Sequence, residues 1–170
     1  MVNNGCGPVA ACNILYYMST TDSKYKYLYY FSSLTQSNFL KYMNMLHGFI
    51  NPSLFGEFSL NSWVNDVIEY ADDMGVSLSS SKLQATASKG ACANFIKSAL
   101  RDDKPVGSLN LAKTGEEQWH WITITKYYQG SDDNRWITIS SMGKRRSIDW
   151  DAYYANMSSA VLKGGFVYFH

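Results

Sequence analysis

At 170 residues the chain falls within the usual range of one domain, and a 46% apolar content is enough for one hydrophobic core, so a single unit over residues 1–170 is expected. Fifteen Lys and Arg against 14 Asp and Glu leave a formal charge of +1, which argues against a nucleic acid or an anionic membrane as partner. The three cysteines, Cys6, Cys12 and Cys92, cannot all pair, and their spacing suits neither a disulfide framework nor a zinc knuckle, so a free thiol is expected.

In chain order, residues 8–18 are predicted as a first helix, because Pro8 suits a first helical turn and Ala10, Ala11, Ile14 and Leu15 form a stripe. Cys6 then lies at a helix start. A tyrosine-rich stretch over 25–31 precedes a second helix, 36–46, that ends before Gly48. Ser59 caps a third helix reaching Met74, with Trp63, Val67 and Tyr70 on one face and Gly75 as its stop. Short strand-like pieces at 76–79 and 82–86 lead to a fourth helix over 91–100. Segments 106–111, 119–127, 135–140, 145–149 and 165–169 then read as strands rich in β-branched and aromatic residues, and 129–134 as a hairpin turn. Helices first and strands second make an α+β arrangement.

No apolar run approaches the ~18 residues of a membrane span, and no basic region followed by a hydrophobic stretch opens the chain. The abrupt start at Val2-Asn3-Asn4-Gly5-Cys6 suggests a piece trimmed from a longer precursor, which leaves the compartment unassigned. The 13 tyrosines and modest charge lean toward a secreted or cell-envelope setting.

A thiol is a strong nucleophile only as thiolate, and the free amides and dipole of a helix N-terminus favour that form. Gly5-Cys6-Gly7-Pro8 supplies this placement; the glycines allow a carbonyl to approach, and the Cys6 amide can donate to an oxyanion. The base of such a site is an imidazole on a rigid element, and His120 sits in the strand Trp119-His120-Trp121-Ile122-Thr123-Ile124. Alternation puts His120 with Ile122 and Ile124, an apolar face expected to meet the helix of Cys6. A hairpin turning near Ser131 pairs Ile122 with Ser140 and sets Ser140 diagonally beside His120, making it the candidate orienter of the ring. Asp132 and Asp133 lie in the turn, roughly 15–20 Å of strand away. Cys12 and Cys92 read as core thiols. Three scattered histidines and no Cys or His pair at ligand spacing argue against a metal, no glycine-rich phosphate loop precedes a helix, and no cofactor is expected.

The runs Asn4-Gly5-Cys6-Gly7-Pro8-Val9-Ala10-Ala11, Lys104-Pro105-Val106, Trp119-His120-Trp121 and Ile139-Ser140-Ser141-Met142-Gly143-Lys144 resemble papain-like cysteine peptidases, and among them the double-glycine leader peptidase-like proteins of bacteria. The resemblance implies a papain-like fold, with the nucleophile at a helix N-terminus in the first half and His120 on an antiparallel sheet in the second. It also implies hydrolysis of a peptide or amide bond, and a peptide or protein substrate. In that family the third member is Asn or Asp, often in an Asn-Ser-Trp-Gly run, and Ser140-Ser141-Met142-Gly143 stands there. A serine accepts the imidazole N–H but brings no charge. The family's oxyanion glutamine would precede the first residue of this chain. Two rivals stay open, a papain-like acyltransferase or transglutaminase-like enzyme and a catalytically silent relative that binds a peptide.

Overall fold

The computed structural model describes residues 5–50 and 58–170. Helix α1 (Cys6–Thr21) starts two residues before the predicted point: Gly5 is its N-cap residue and the Gly5 carbonyl accepts from the Val9 amide at 3.0 Å. Pro8, the third helical residue, loses no bond there, because amides of the first turn have no intrahelical partner. A 3₁₀ turn (Ser23–Leu28) then carries part of the tyrosine-rich stretch. Helix α2 (Gln36–Phe49), capped by the Thr35 hydroxyl, runs through Gly48, which stays out of the left-handed region. Helix α3 (Leu60–Asp73) has the predicted cap, Ser59 accepting from the Ser62 amide at 3.1 Å. It has the predicted stop as well. Gly75 at φ +71° lets its amide reach the Asp72 carbonyl and that of Val76 reach Ala71, a Schellman ending.

Strand β1 (Ser80–Gln84) replaces the two predicted pieces, and α4 (Lys89–Arg101) is capped by Ser88. Then come β2 (Val106–Asn110), β3 (His120–Gln129), β4 (Arg135–Ser141), β5 (Lys144–Asp149), α5 (Trp150–Ser159) and β6 (Gly165–Phe169). Helix α5 has no counterpart in the sequence reading. The Asp149 carboxylate caps it, accepting from the Ala152 amide at 2.7 Å.

The described strands form one six-stranded antiparallel sheet in the order β1-β6-β2-β3-β4-β5, so the chain is α+β. Helices cover both faces. Leu109, Trp121, Val167 and Phe169 join the core of α1, α2 and α3 on one side; Val106, Ile122, Ile124, Ile137, Ile139 and Phe166 join that of α4 and α5 on the other. The expectation that the Ile122 and Ile124 face meets α1 is therefore corrected. Because α4 and α5 cover those isoleucines, α1 lies on the alternate face, where the Thr123 hydroxyl donates to the Ala10 carbonyl at 3.3 Å. Among the described residues no helix is long and apolar enough to cross a membrane.

Candidate active site

Cys6 is the first residue of α1 and is half-buried, whereas Cys12 and Cys92 are buried. Burial pushes both of those thiols above their ordinary value, which suits the core role expected of them. Asn4, which opens the first quoted motif, lies outside the described residues.

Two tryptophans hold the first turn of α1. The Trp63 indole N–H donates to the Gly7 carbonyl at 3.1 Å in a buried bond, and Trp63 stacks on Trp121 with centroids 4.3 Å apart and planes 18° apart. A Cβ on Gly7 would stand 3.3 Å from Trp63 and 3.6 Å from Trp121, so glycine is what lets helix and indoles come this close. Helix and strand keep step. Ala10 meets Thr123 and Gly7 meets Trp121, but His120 alternates with Trp121 and shares the face of Ile122 and Ile124, so the expectation that its side chain points toward the helix of Cys6 is corrected as well.

His120 opens β3 opposite Asn110, and its ring is turned to Ser141 and Glu117: Nε2 lies 3.0 Å from Ser141 Oγ and 3.5 Å from Glu117 Oε2. Among the described residues the ring's hydrogen bonds use Nε2, and none joins it to the Cys6 thiol. Burial holds the imidazole below its ordinary value, and the Glu117 carboxylate partly offsets this.

Ser140 does not take the place expected of it. It pairs with Thr123, accepts from Asn13 Nδ2 at 3.2 Å, and lines a cleft of about 450 Å³ with Asn13, Tyr16, Thr123 and Arg145 on the α1 face. The physical reason is a β-bulge. Near the hairpin turn, Tyr128 pairs with Trp136 and Lys126 with Thr138, even with even, which is the parity the expected Ile122 and Ser140 pairing required. Between Ile124 and Lys126 the register shifts, leaving Thr125 as the extra residue. Beyond it Ile124 pairs with Ile139 and Thr123 with Ser140. A one-residue change of register moves every later side chain to the other face, so Ser141 rather than Ser140 meets the imidazole.

Glu117 is the other group that the sequence reading missed. Its side chain is only 7% exposed; Oε2 accepts the Ser141 hydroxyl at 2.8 Å, and Oε1 accepts from Arg146 at 2.5 Å. Arg146, on β5, also bonds Glu116 at 3.0 Å. The loop reaches this position through left-handed backbone at Gly115, Glu117 and Trp119, with φ of 92°, 53° and 48°. For the two non-glycine residues this costs on the order of 1–3 kcal/mol each, sustained by the bonds Glu117 makes. Met142 and Gly143 are also left-handed, but they form the two-residue turn joining β4 to β5, a type I′ geometry that needs no functional reason. The available signal for Glu117 was an acidic pair behind a glycine, three residues before a strand histidine.

Asp132 and Asp133 stay in the hairpin turn, where Asp132 binds Asn134. Among the described residues no group of His, Cys, Asp or Glu is placed to hold a metal ion. The sequence matches neither a protein-family model nor a curated protein.

Proposed function

We propose that this protein is a cysteine hydrolase of papain-like architecture that cleaves a peptide or amide bond, with Cys6 as nucleophile and His120 as base. The observation that carries the reading is the packing of Gly7 against Trp63 and Trp121, which seats the helix start bearing Cys6 against the residue that follows His120 in β3.

With Nε2 engaged by Ser141, Nδ1 is the nitrogen that takes the thiol proton. The sulfur attacks the carbonyl carbon, and the oxygen of the tetrahedral adduct takes its negative charge toward the amides of the first turn of α1. Collapse expels the amine, which receives the proton from His120, and leaves a thioester on Cys6. Water, deprotonated by the same ring, hydrolyses that thioester to a carboxylic acid and restores the thiol. The likeness to the double-glycine leader peptidase-like group makes a short bacterial peptide the first substrate to try.

Two observations favour the silent peptide binder: His120 shares the face of β3 that α4 and α5 cover, and no hydrogen bond joins Cys6 to His120 among the described residues. Catalytic contacts in unliganded sites are often long and tighten with substrate, so solution chemistry decides between the two. The test is the rate of iodoacetamide labelling of Cys6 against pH, in the wild type and in His120→Ala. A midpoint well below the free-thiol value of about 8.5, lost with His120, supports the hydrolase. Labelling no faster than an ordinary thiol leaves the silent binder. Transfer of an acyl group from a peptide thioester or amide to an added amine, in preference to water, would instead select the acyltransferase.

A further inference from the structure

We infer that Glu117 is the charged positioning residue of this site, acting on His120 through the Ser141 hydroxyl. The inference rests on the reading of His120 as the base, but what it asserts about the ring can be observed without any turnover.

The assignment follows from counting protons. A carboxylate only accepts, and Glu117 has both oxygens in use, Oε1 by Arg146 at 2.5 Å and Oε2 by Ser141 at 2.8 Å. Ser141 owns one hydroxyl hydrogen. Given to Glu117, it leaves Ser141 Oγ to meet His120 Nε2, 3.0 Å away, as an acceptor. Nε2 must then carry the ring hydrogen, and the lone pair of the neutral imidazole lies on Nδ1. The reverse arrangement, Ser141 donating to Nε2, would set two oxygens face to face at 2.8 Å with no hydrogen between them, beside a carboxylate that is 7% exposed. That is the costly case for a buried polar group.

Glu117 thus does two things that a serine alone cannot. It orients the serine, and it places a negative charge 3.5 Å from the nitrogen on which imidazolium charge develops. Among the described residues the other charged or titratable groups that interact with this pair are Arg146 from β5, which tempers the carboxylate, Glu116 on the same loop through Arg146, and Tyr153 on α5. Burial of the ring and the opposing pull of Glu117 agree with this arrangement. The family pattern supplies the third member from the strand itself. Here the bulge at Thr125 brings a serine to that place, and the charge comes from the loop before β3.

The test uses Cys6→Ser protein with ¹⁵N-labelled histidine, so that no thiolate complicates the titration. Long-range ¹H–¹⁵N correlation above the ring's titration should show Nε2 with a pyrrole-type shift and Nδ1 with a pyridine-type shift. The opposite assignment overturns the inference without recourse to any other variant. In the same background Glu117→Gln keeps the shape but removes the charge, and the ring midpoint should fall by about one pH unit, with the tautomers mixing. Ser141→Asp, which brings a carboxylate directly to Nε2, should restore the midpoint in the Glu117→Gln protein. A midpoint and tautomer unchanged by Glu117→Gln would show a merely structural glutamate and end the proposal. Thiol labelling of wild-type protein reports separately on the hydrolase reading, so the two can fail independently.

Discussion

Replacing Trp63 by Phe tests the reasoning that joins Cys6 to His120. The indole N–H donates to the Gly7 carbonyl at 3.1 Å, and the side chain is fully buried between α1 and the Trp121 ring. A phenyl ring cannot donate that bond, a loss of ~1 kcal/mol net for a typical intramolecular hydrogen bond. The smaller ring leaves a void against Trp121 and Phe169, and incomplete collapse of such a void adds ~1 kcal/mol. Together the two terms give about 2 kcal/mol of destabilisation, or roughly 4–8 °C in Tm for a chain of this size. Urea unfolding followed by far-UV circular dichroism measures it, and the iodoacetamide rate at Cys6, taken well below the unfolding midpoint, reports the site. The expected outcome is a folded protein with reduced stability and a Cys6 rate closer to that of an ordinary thiol. A stability within about 0.5 kcal/mol of wild type, with unaltered Cys6 labelling, would refute the view that the Trp63 anchor sets the geometry of the first turn.

Gly7→Ala would put a methyl 3.3 Å from Trp63, tighter than that stack accommodates freely, so it should destabilise despite the better helix propensity of alanine, by about 1–2 kcal/mol in the same unfolding assay. His120→Gln should remove a pH dependence of stability. The folded ring titrates below its unfolded value because it is buried, so its contribution is present above about pH 6.5 and is lost as pH falls through the depressed folded value. Wild type should therefore lose stability relative to the variant as pH drops from 7 to 5, as read from urea midpoints. Ser141→Ala should alter the NMR titration of His120 while Ser140→Ala leaves it in place, because only Ser141 touches the ring. In native protein, peptide mapping should find Cys6 alkylated well before Cys12 and Cys92, and all three should label alike in denaturant.

Much of the secondary structure is a local property and was legible. Ser59 and Gly75 bracket α3 because a hydroxyl cap and a left-handed glycine act within one turn of their own position. The strands at His120–Gln129 and Gly165–Phe169 show as β-branched and aromatic runs, and Gly5-Cys6-Gly7-Pro8 marks a helix start by composition. Helix α5 was not legible. Its Trp150, Tyr153 and Tyr154 have no strong helical preference, and their burial against the sheet gives them their conformation.

The sequence alone determined that Cys6 begins a helix and that His120 belongs to a strand, since both follow from neighbours a few residues away. Tertiary structure decided what those two residues meet. One bulged residue, Thr125, decides whether Ser140 or Ser141 reaches the imidazole, and hydrophobic period carries no mark of it because each flank keeps its own alternation. Packing of α4 and α5 over Ile122 and Ile124 decided which face of β3 α1 covers. Glu117 enters the site because Arg146, 29 residues further along the chain, holds it there, a pairing with no local signature.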